Sequence, residues 1–227
     1  MGLGTVTLFS GPSAPASSFA SVVAQAFATY EPWVWSFGDC AGAPCSSWLL
    51  DRQIVSMLAQ RPAVAHAVPV QCDGDEAGFA AVGFLVHCLD ASAPPSPSLV
   101  EKLTLLWTLG PRCALKLSEF SHVVNELHAT DAADVGEHYM ISLVGVLPHM
   151  QGRGLARQLM QSMLSTADKE GLPVYLFTGN DRNEAMYTRY GFTTRSSRSM
   201  GRIVAGHGSG TEVVVRSMLR PPVSREK

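Results

Sequence analysis

The sequence predicts a single α/β domain built on a mixed, mostly antiparallel twisted sheet of six or seven strands flanked by helices. Three observations carry that reading. From Glu137 onward a strand, a glycine-rich turn, a helix, a second strand and a second helix follow one another. Two valine-bearing apolar runs, Ala63 to Cys72 and Gly78 to Leu89, are separated by Asp73-Gly74-Asp75-Glu76, which is turn chemistry and predicts an antiparallel hairpin. The chain has 227 residues, 46% hydrophobic and 16% charged, enough to bury a full core in one large domain.

The elements follow in order. Ser17 to Tyr30 places Phe19, Val22, Val23, Ala26 and Phe27 at helical spacing, and Glu31-Pro32 ends it because a residue before proline avoids the α region. After Trp33, Trp35 and a loop from Gly38 to Pro44, Trp48 to Gln60 reads as a second helix with Leu49, Ile54, Met57 and Leu58 inward, stopped by Arg61-Pro62. The hairpin comes next, then a proline-rich connector from Ala91 to Ser98. Leu99 to Leu109 and Arg112 to His128 read as helices split at Gly110-Pro111, and Ala129 to Gly136 as a mobile polar loop. Strand Tyr139 to Val146, turn Pro148 to Gly154, helix Gly154 to Glu170, strand Val174 to Thr178 and helix Asn180 to Tyr190 form the next block. Two strands, Phe192 to Val204 and Glu212 to Leu219, close the chain around a glycine-rich loop at 206–210. There is no internal repeat.

Composition excludes several classes. Five cysteines, an odd number with no CxxC pair, suggest neither a disulfide framework nor a zinc site, and a reducing, cytoplasmic setting is the simpler expectation. No apolar run approaches the ~18 residues of a membrane span, and no signal-peptide pattern opens the chain. His66, His87, His122, His128, His149 and His207 form no HxxxH or HxH pair, so no metal is expected. The net charge of −2 hides an asymmetry: residues 1–137 carry −8 and residues 182–227 carry +6. With a pI near 6.4, a nucleic-acid partner is not expected.

The chemistry concentrates at Gln151-Gly152-Arg153-Gly154-Leu155-Ala156, which follows the apolar strand ISLVGV and opens a helix with Leu155, Leu159, Met160, Met163, Leu164 and Ala167 on one inward stripe. The first turn of a helix leaves amide N–H groups unpaired and carries about half a positive charge, which suits a phosphate or pyrophosphate. Glycines at 152 and 154 let ligand oxygens approach the backbone. A P-loop would need a lysine followed by Ser or Thr, and a dinucleotide fingerprint would need glycine where Arg157 stands.

This loop resembles the pyrophosphate loop of the GNAT superfamily of acyl-CoA-dependent N-acyltransferases, Gln/Arg-x-x-Gly-x-Gly/Ala, through Gln151, Gly154 and Ala156. A second block, Asn183, Ala185, Tyr187, Gly191 and Phe192, is similar to the family's Asn-x-x-x-Tyr…Gly-Phe segment at the expected distance. The resemblance covers Glu137 to Arg195 well and the hairpins loosely, while the helices between Ser98 and His128 go beyond the minimal family fold. Ala26-Phe27, Glu31-Pro32 and Trp35 are similar to the opening of puromycin-acetyltransferase-like members.

The resemblance implies one domain over 1–227, with acceptor-side elements mainly in 1–136, the acetyl-CoA core in 137–195 and C-terminal strands in 196–220. It implies that the strand ending at Val146 splays from its neighbour, so that Val144, Gly145 and Val146 bind the pantetheine arm. Gln151, Gly152, Arg153, Gly154, Leu155 and Ala156 would bind the pyrophosphate and Asn183 the cofactor. The Val146 N–H would stabilise an oxyanion, and Tyr187, protonated at neutral pH, would protonate the departing thiolate. Arg153 and Arg157, or the more distant Arg182, Arg189, Arg195 and Arg198, are candidates for the 3′-phosphate. For the base, Glu137 and His138 stand at the start of the strand leading to the cofactor, with His138 expected on one face with Met140 and Ser142 and connected to the amine by water. No cysteine occupies a motif position, so a covalent acyl-enzyme is not indicated.

The expected reaction is acetyl transfer from acetyl-CoA to a primary amine by direct attack in a ternary complex. The acidic first half with Trp33 and Trp35 suggests a small cationic acceptor. A peptide or protein amine, or a non-catalytic acyl-CoA-binding module, are the alternatives. The helices at 98–128 and the C-terminal strands are candidates for a homodimer face.

Overall fold

The computed structural model describes residues 5–11, 13–37, 44–60, 63–71, 77–90, 99–202 and 212–223. Seven strands form one sheet in the order β1-β2-β3-β4-β5-β7-β6. They are β1 (Thr7–Ser10), β2 (Ala63–Gln71), β3 (Ala77–Cys88), β4 (His138–Val146), β5 (Val174–Thr178), β6 (Thr193–Arg202) and β7 (Glu212–Arg220). Every described neighbour pair is antiparallel except β4 and β5. The expected mixed sheet is therefore present. The hairpin turn, the proline-rich connector and the glycine-rich loop lie outside the described residues.

The helices are α1 (Ala16–Phe27), α2 (Glu31–Phe37), α3 (Pro44–Gln60), α4 (Leu99–Asp131), α5 (Leu155–Glu170) and α6 (Asp181–Thr188). Two cores flank the sheet. On one face Leu155, Leu159, Met160, Met163 and Ala167 of α5 pack on Leu85, Ile141 and Leu176, with Tyr187 and Phe192. On the other, α1 and α3 cover β2 and β3 through Phe19, Val23, Leu50, Ile54 and Phe84, while α2 and α4 cover β6 and β7 through Trp35, Leu127, Met200, Val213 and Val215.

Three differences from the sequence reading have physical causes. Glu31-Pro32 ends α1 but also starts α2, because proline is tolerated in a helix's first turn where its missing N–H has no partner to lose. Strand β1, exposed and four residues long, exists through its pairing with β2 and leaves little local pattern. The expected mobile loop at 129–136 is partly helix and pinned at its start: buried Asp131 accepts hydrogen bonds from Ser196 Oγ at 2.8 Å and from Ser217 Oγ. Gly110, at φ 76 and ψ 165, breaks α4 where the sequence places the split.

A bulge in β4 sets the geometry that follows. Between Leu85↔Ile141 and Gly83↔Val144, β4 spends three steps against two on β3. Its side chains change faces there, so Tyr139 and Ile141 point to the α5 core before the bulge, and Val144 and Val146 after it. The expected alternation of His138 and Met140 with Ser142 is broken at the bulge.

Candidate active site

The pairing of β4 changes along its length. Tyr139, Met140 and Ile141 pair with Val174, Tyr175 and Leu176 of β5, and no later β4 residue pairs with β5, although β5 continues to Thr178 against β7. The two parallel strands therefore diverge. Leu147 N–H donates to the Ala80 carbonyl at 2.9 Å, so main-chain groups of 147 and 145 face β3. By alternation, those of Val144 and Val146 face the gap left by β5. Gly145, also expected to touch the arm, turns its main chain to β3, where it stands opposite Val82.

The glycine loop sits beyond the end of this strand. A 3-10 turn, Pro148–Met150, leads to exposed residues 151–154, and Gln151 Nε2 reaches the Val146 carbonyl at 3.5 Å. Gly152 and Gly154 adopt φ +75° and +79°, where a side chain would be strained, and the space above each is open. Gly154 caps α5 without any side-chain hydrogen bond to the helix's first amides. Those amides therefore remain available. An open glycine cradle, an uncapped 16-residue helix and an unpaired strand edge fit the pyrophosphate and pantetheine arm of an acyl-CoA. Leu155 is buried in the core, so its contribution to such a cradle is main-chain.

Tyr187 is buried beneath this region and packs edge-on against Phe192, with ring centroids 5.9 Å apart. Burial, then the neighbouring phenols of Tyr30 and Tyr190, push its hydroxyl well above the ordinary tyrosine range, so it holds its proton. Asn183, four residues earlier, is half-buried, and its backbone N–H is bonded by the Asn180 side chain at 2.8 Å as the cap of α6.

The structure adds residues that the motif reading missed. The start of α2 lies across the end of β5: a Cβ on Gly179 would stand 2.1 Å from Pro32 Cγ and 3.0 Å from Tyr30 Oη, so only glycine admits this approach. Asn180 Nδ2 donates to Glu31 Oε2 at 3.1 Å. Burial raises the Tyr30 hydroxyl to about 12. Arg216 pairs with Glu184 at 3.0 Å and Asp181 at 2.7 Å. The one local signal for this cluster was the Glu31-Pro32 dipeptide.

Glu137 and His138 stand elsewhere. Val146 follows His138 by eight residues of strand, about 26 Å away. Glu137 sits 2.9 Å from His87 Nε2, and buried His138 points to the α4 side, 2.8 Å from His128 Nε2. Neither side chain therefore faces the gap at the far end of β4. Arg195 pairs with Asp134 just beyond α4 and Arg198 with Glu126 of α4, each at 3.1 Å, whereas Arg153 and Arg157 are exposed beside the glycine loop.

Residues 120–192 match the acetyltransferase (GNAT) family. An uncharacterized N-acetyltransferase of Schizosaccharomyces pombe is 28% identical over 111 residues, covering 48% of this chain and 42% of that relative, so the match spans less than half of the relative's length. Among solved structures, arylalkylamine N-acetyltransferase 2 from Aedes aegypti is similar with TM-score 0.62 at 13% identity, covering 95% of this chain and 98% of that one. The Drosophila melanogaster polyamine N-acetyltransferase gives TM-score 0.62 at 12% identity over 95% and 99%. At these identities the likeness is one of fold. Among the described residues, no helix is long and apolar enough to cross a membrane.

Proposed function

We propose that the chain is a member of the GNAT superfamily, whose model matches residues 120–192, and that it transfers an acetyl group from acetyl-CoA to the primary amine of a small cationic acceptor, by direct attack in a ternary complex. The observation that carries this reading is the gap between β4 and β5, which offers the main chain of Val144 and Val146 on one wall and ends at Tyr30, Glu31 and Asn180 on the other.

Acetyl-CoA supplies the activated acyl group. Gln151 to Ala156 bind its pyrophosphate through backbone amides at the uncapped end of α5, with Arg153 and Arg157 beside them. The Val146 N–H is the donor for the oxyanion that develops as the amine attacks. Tyr187, held protonated by burial, donates to the departing sulfur. An alkylamine of pKa roughly 10 arrives as an ammonium and must lose a proton before attack. Glu31 replaces Glu137 and His138 in that role, because its carboxylate stands at the mouth of the gap. The same carboxylate favours a cationic acceptor, as does the −8 charge of residues 1–137. Two relatives of the same fold, named for acting on arylalkylamines and polyamines, support a small amine.

Thiol release measured with acetyl-CoA against polyamines, arylalkylamines and lysine peptides tests the proposal. Turnover is expected on the small amines, falling about 10-fold or more in Glu31→Gln. Turnover on lysine peptides alone would transfer the assignment to a protein acceptor, and acetyl-CoA binding without turnover on any amine would leave a binding module.

A further inference from the structure

At the opposite end of β4 three side chains converge that acetyl transfer does not use. We propose that Cys88, His128 and His138 bind one thiophilic metal ion, zinc(II) by the character of the donor set. All three are buried, and one ligand atom of each lies within 4.8 Å of the others.

They come from three elements. Cys88, the last residue of β3, stands directly opposite His138 in the antiparallel ladder, so both side chains rise from the same face. Over that face α4 lays His128, in its last turn. Their spacing forms no metal motif, since the two histidines are ten residues apart and the thiol is forty residues before the nearer one.

The hydrogen bonding orients the His138 imidazole as a ligand. His138 Nδ1–H donates to the Gly136 carbonyl at 2.7 Å, which leaves the Nε2 lone pair directed at His128 Nε2, 2.8 Å away. A backbone carbonyl on the far nitrogen is the usual support of a metal-bound histidine. One sulfur and two imidazole nitrogens suit zinc, whereas magnesium and calcium require oxygen ligands. The C-terminal end of α4 adds the negative pole of the helix dipole. For Zn–N bonds of about 2.0–2.1 Å in a tetrahedron, the two nitrogens must part by roughly half an ångström. Binding sends the Cys88 thiol proton to solvent and moves the His128 proton from Nε2 to Nδ1, leaving two neutral imidazoles and a thiolate, with a fourth position for water. The ion would tie α4 to the end of β3 and the start of β4.

The test uses the full chain, stripped with a chelator and titrated with cobalt(II) while its absorption spectrum is followed. One equivalent is expected to give tetrahedral d–d bands and a thiolate-to-cobalt charge-transfer band, both erased by added zinc(II). The charge-transfer band should vanish in Cys88→Ser, and His138→Asn should weaken cobalt binding by about 10-fold or more. A second variant, Cys40→Ser/Cys45→Ser/Cys72→Ser/Cys113→Ser, keeps Cys88 as the sole thiol and should retain the band, which decides the matter even where Cys88→Ser does not fold. No saturable cobalt spectrum in the wild-type chain, or a band lost in the fourfold variant, overturns the proposal and leaves a hydrogen-bonded histidine pair. Neither outcome depends on acetyl transfer.

Discussion

The two ends of β4 differ in how their main chain is used. At its start, the strand is bonded on both edges, to β3 through His87 and Cys88 and to β5 through Val174 and Tyr175, and its side chains are buried against α4 and α5. At its end only the β3 edge pairs with a strand, and Val144 and Val146 turn their other edge to the gap, where the Val146 carbonyl meets Gln151 Nε2. One strand is thus an anchor at one end and a binding edge at the other. The bulge between Ile141 and Val144 marks the change. Unpaired backbone is costly inside a protein, so its presence beside an open glycine cradle points to a ligand that pairs it.

The largest test of this contrast is Gly154→Glu. The substitution forces a side chain into φ +79° and sets a negative charge against the proposed pyrophosphate site. Left-handed strain of about 1–2 kcal/mol and the added repulsion should weaken acetyl-CoA binding roughly 10³-fold by calorimetry. The space above Gly154 is open, so the fold should survive, and circular dichroism of the variant checks that. Binding at wild-type affinity would mean that the open end of β4 is not the cofactor site.

The covered part of the sheet should reveal itself through pH. His66 on β2 is fully buried, its Nδ1 2.9 Å from Ser162 Oγ on α5, and burial pushes its imidazole down to about 4. The folded state therefore resists protonation more than the unfolded chain, whose histidine titrates near 6.5. Its contribution is fully present above pH 6.5 and is lost as pH falls toward 4, a loss of about 3 kcal/mol over that window. Urea unfolding at pH 7 and pH 4.5 should show this loss in the wild type and a smaller one in His66→Gln. Equal losses would place the proton elsewhere.

How much of this could be read from the chain depends on the range of the interaction. The block from β4 to α6 was legible because its signals are local: an apolar strand, two glycines, a stripe at helical spacing and the Asn183–Tyr187 block lie within about fifty residues. The divergence of β4 and β5 followed from resemblance and appears in the ladder. The Glu31–Asn180 contact was not legible, since the two residues meet across 149 positions and the contact depends on the close approach that Gly179 permits. His138 misled for a related reason. Sequence places it on the strand that leads to the cofactor, but the strand's length, the bulge and the arrival of α4 put it in a separate buried cluster.

Next in size is Tyr187→Phe, which removes one oxygen from a ring packed on Phe192 and leaves the packing in place. General-acid contributions of about 10²-fold predict a matching fall in kcat, with KM for acetyl-CoA held within a few-fold. A KM effect with unchanged kcat would make the hydroxyl a binding contact instead.

The smallest effect is expected at the anchored end. Glu137 is half-exposed, touches His87 at 2.9 Å and precedes the start of β4, the end away from the gap. An exposed pair of this kind contributes about 0–1 kcal/mol to stability. Glu137→Gln should therefore leave kcat/KM within about twofold of wild type and leave the pH profile of kcat/KM unmoved, while Glu31→Gln shifts it. The pH profile is the sharper of the two readouts, because a packing disturbance can lower a rate without moving an ionisation. A shifted profile in Glu137→Gln, with Glu31→Gln unchanged, would show that the anchored end supplies the base after all and that the two ends of β4 work together.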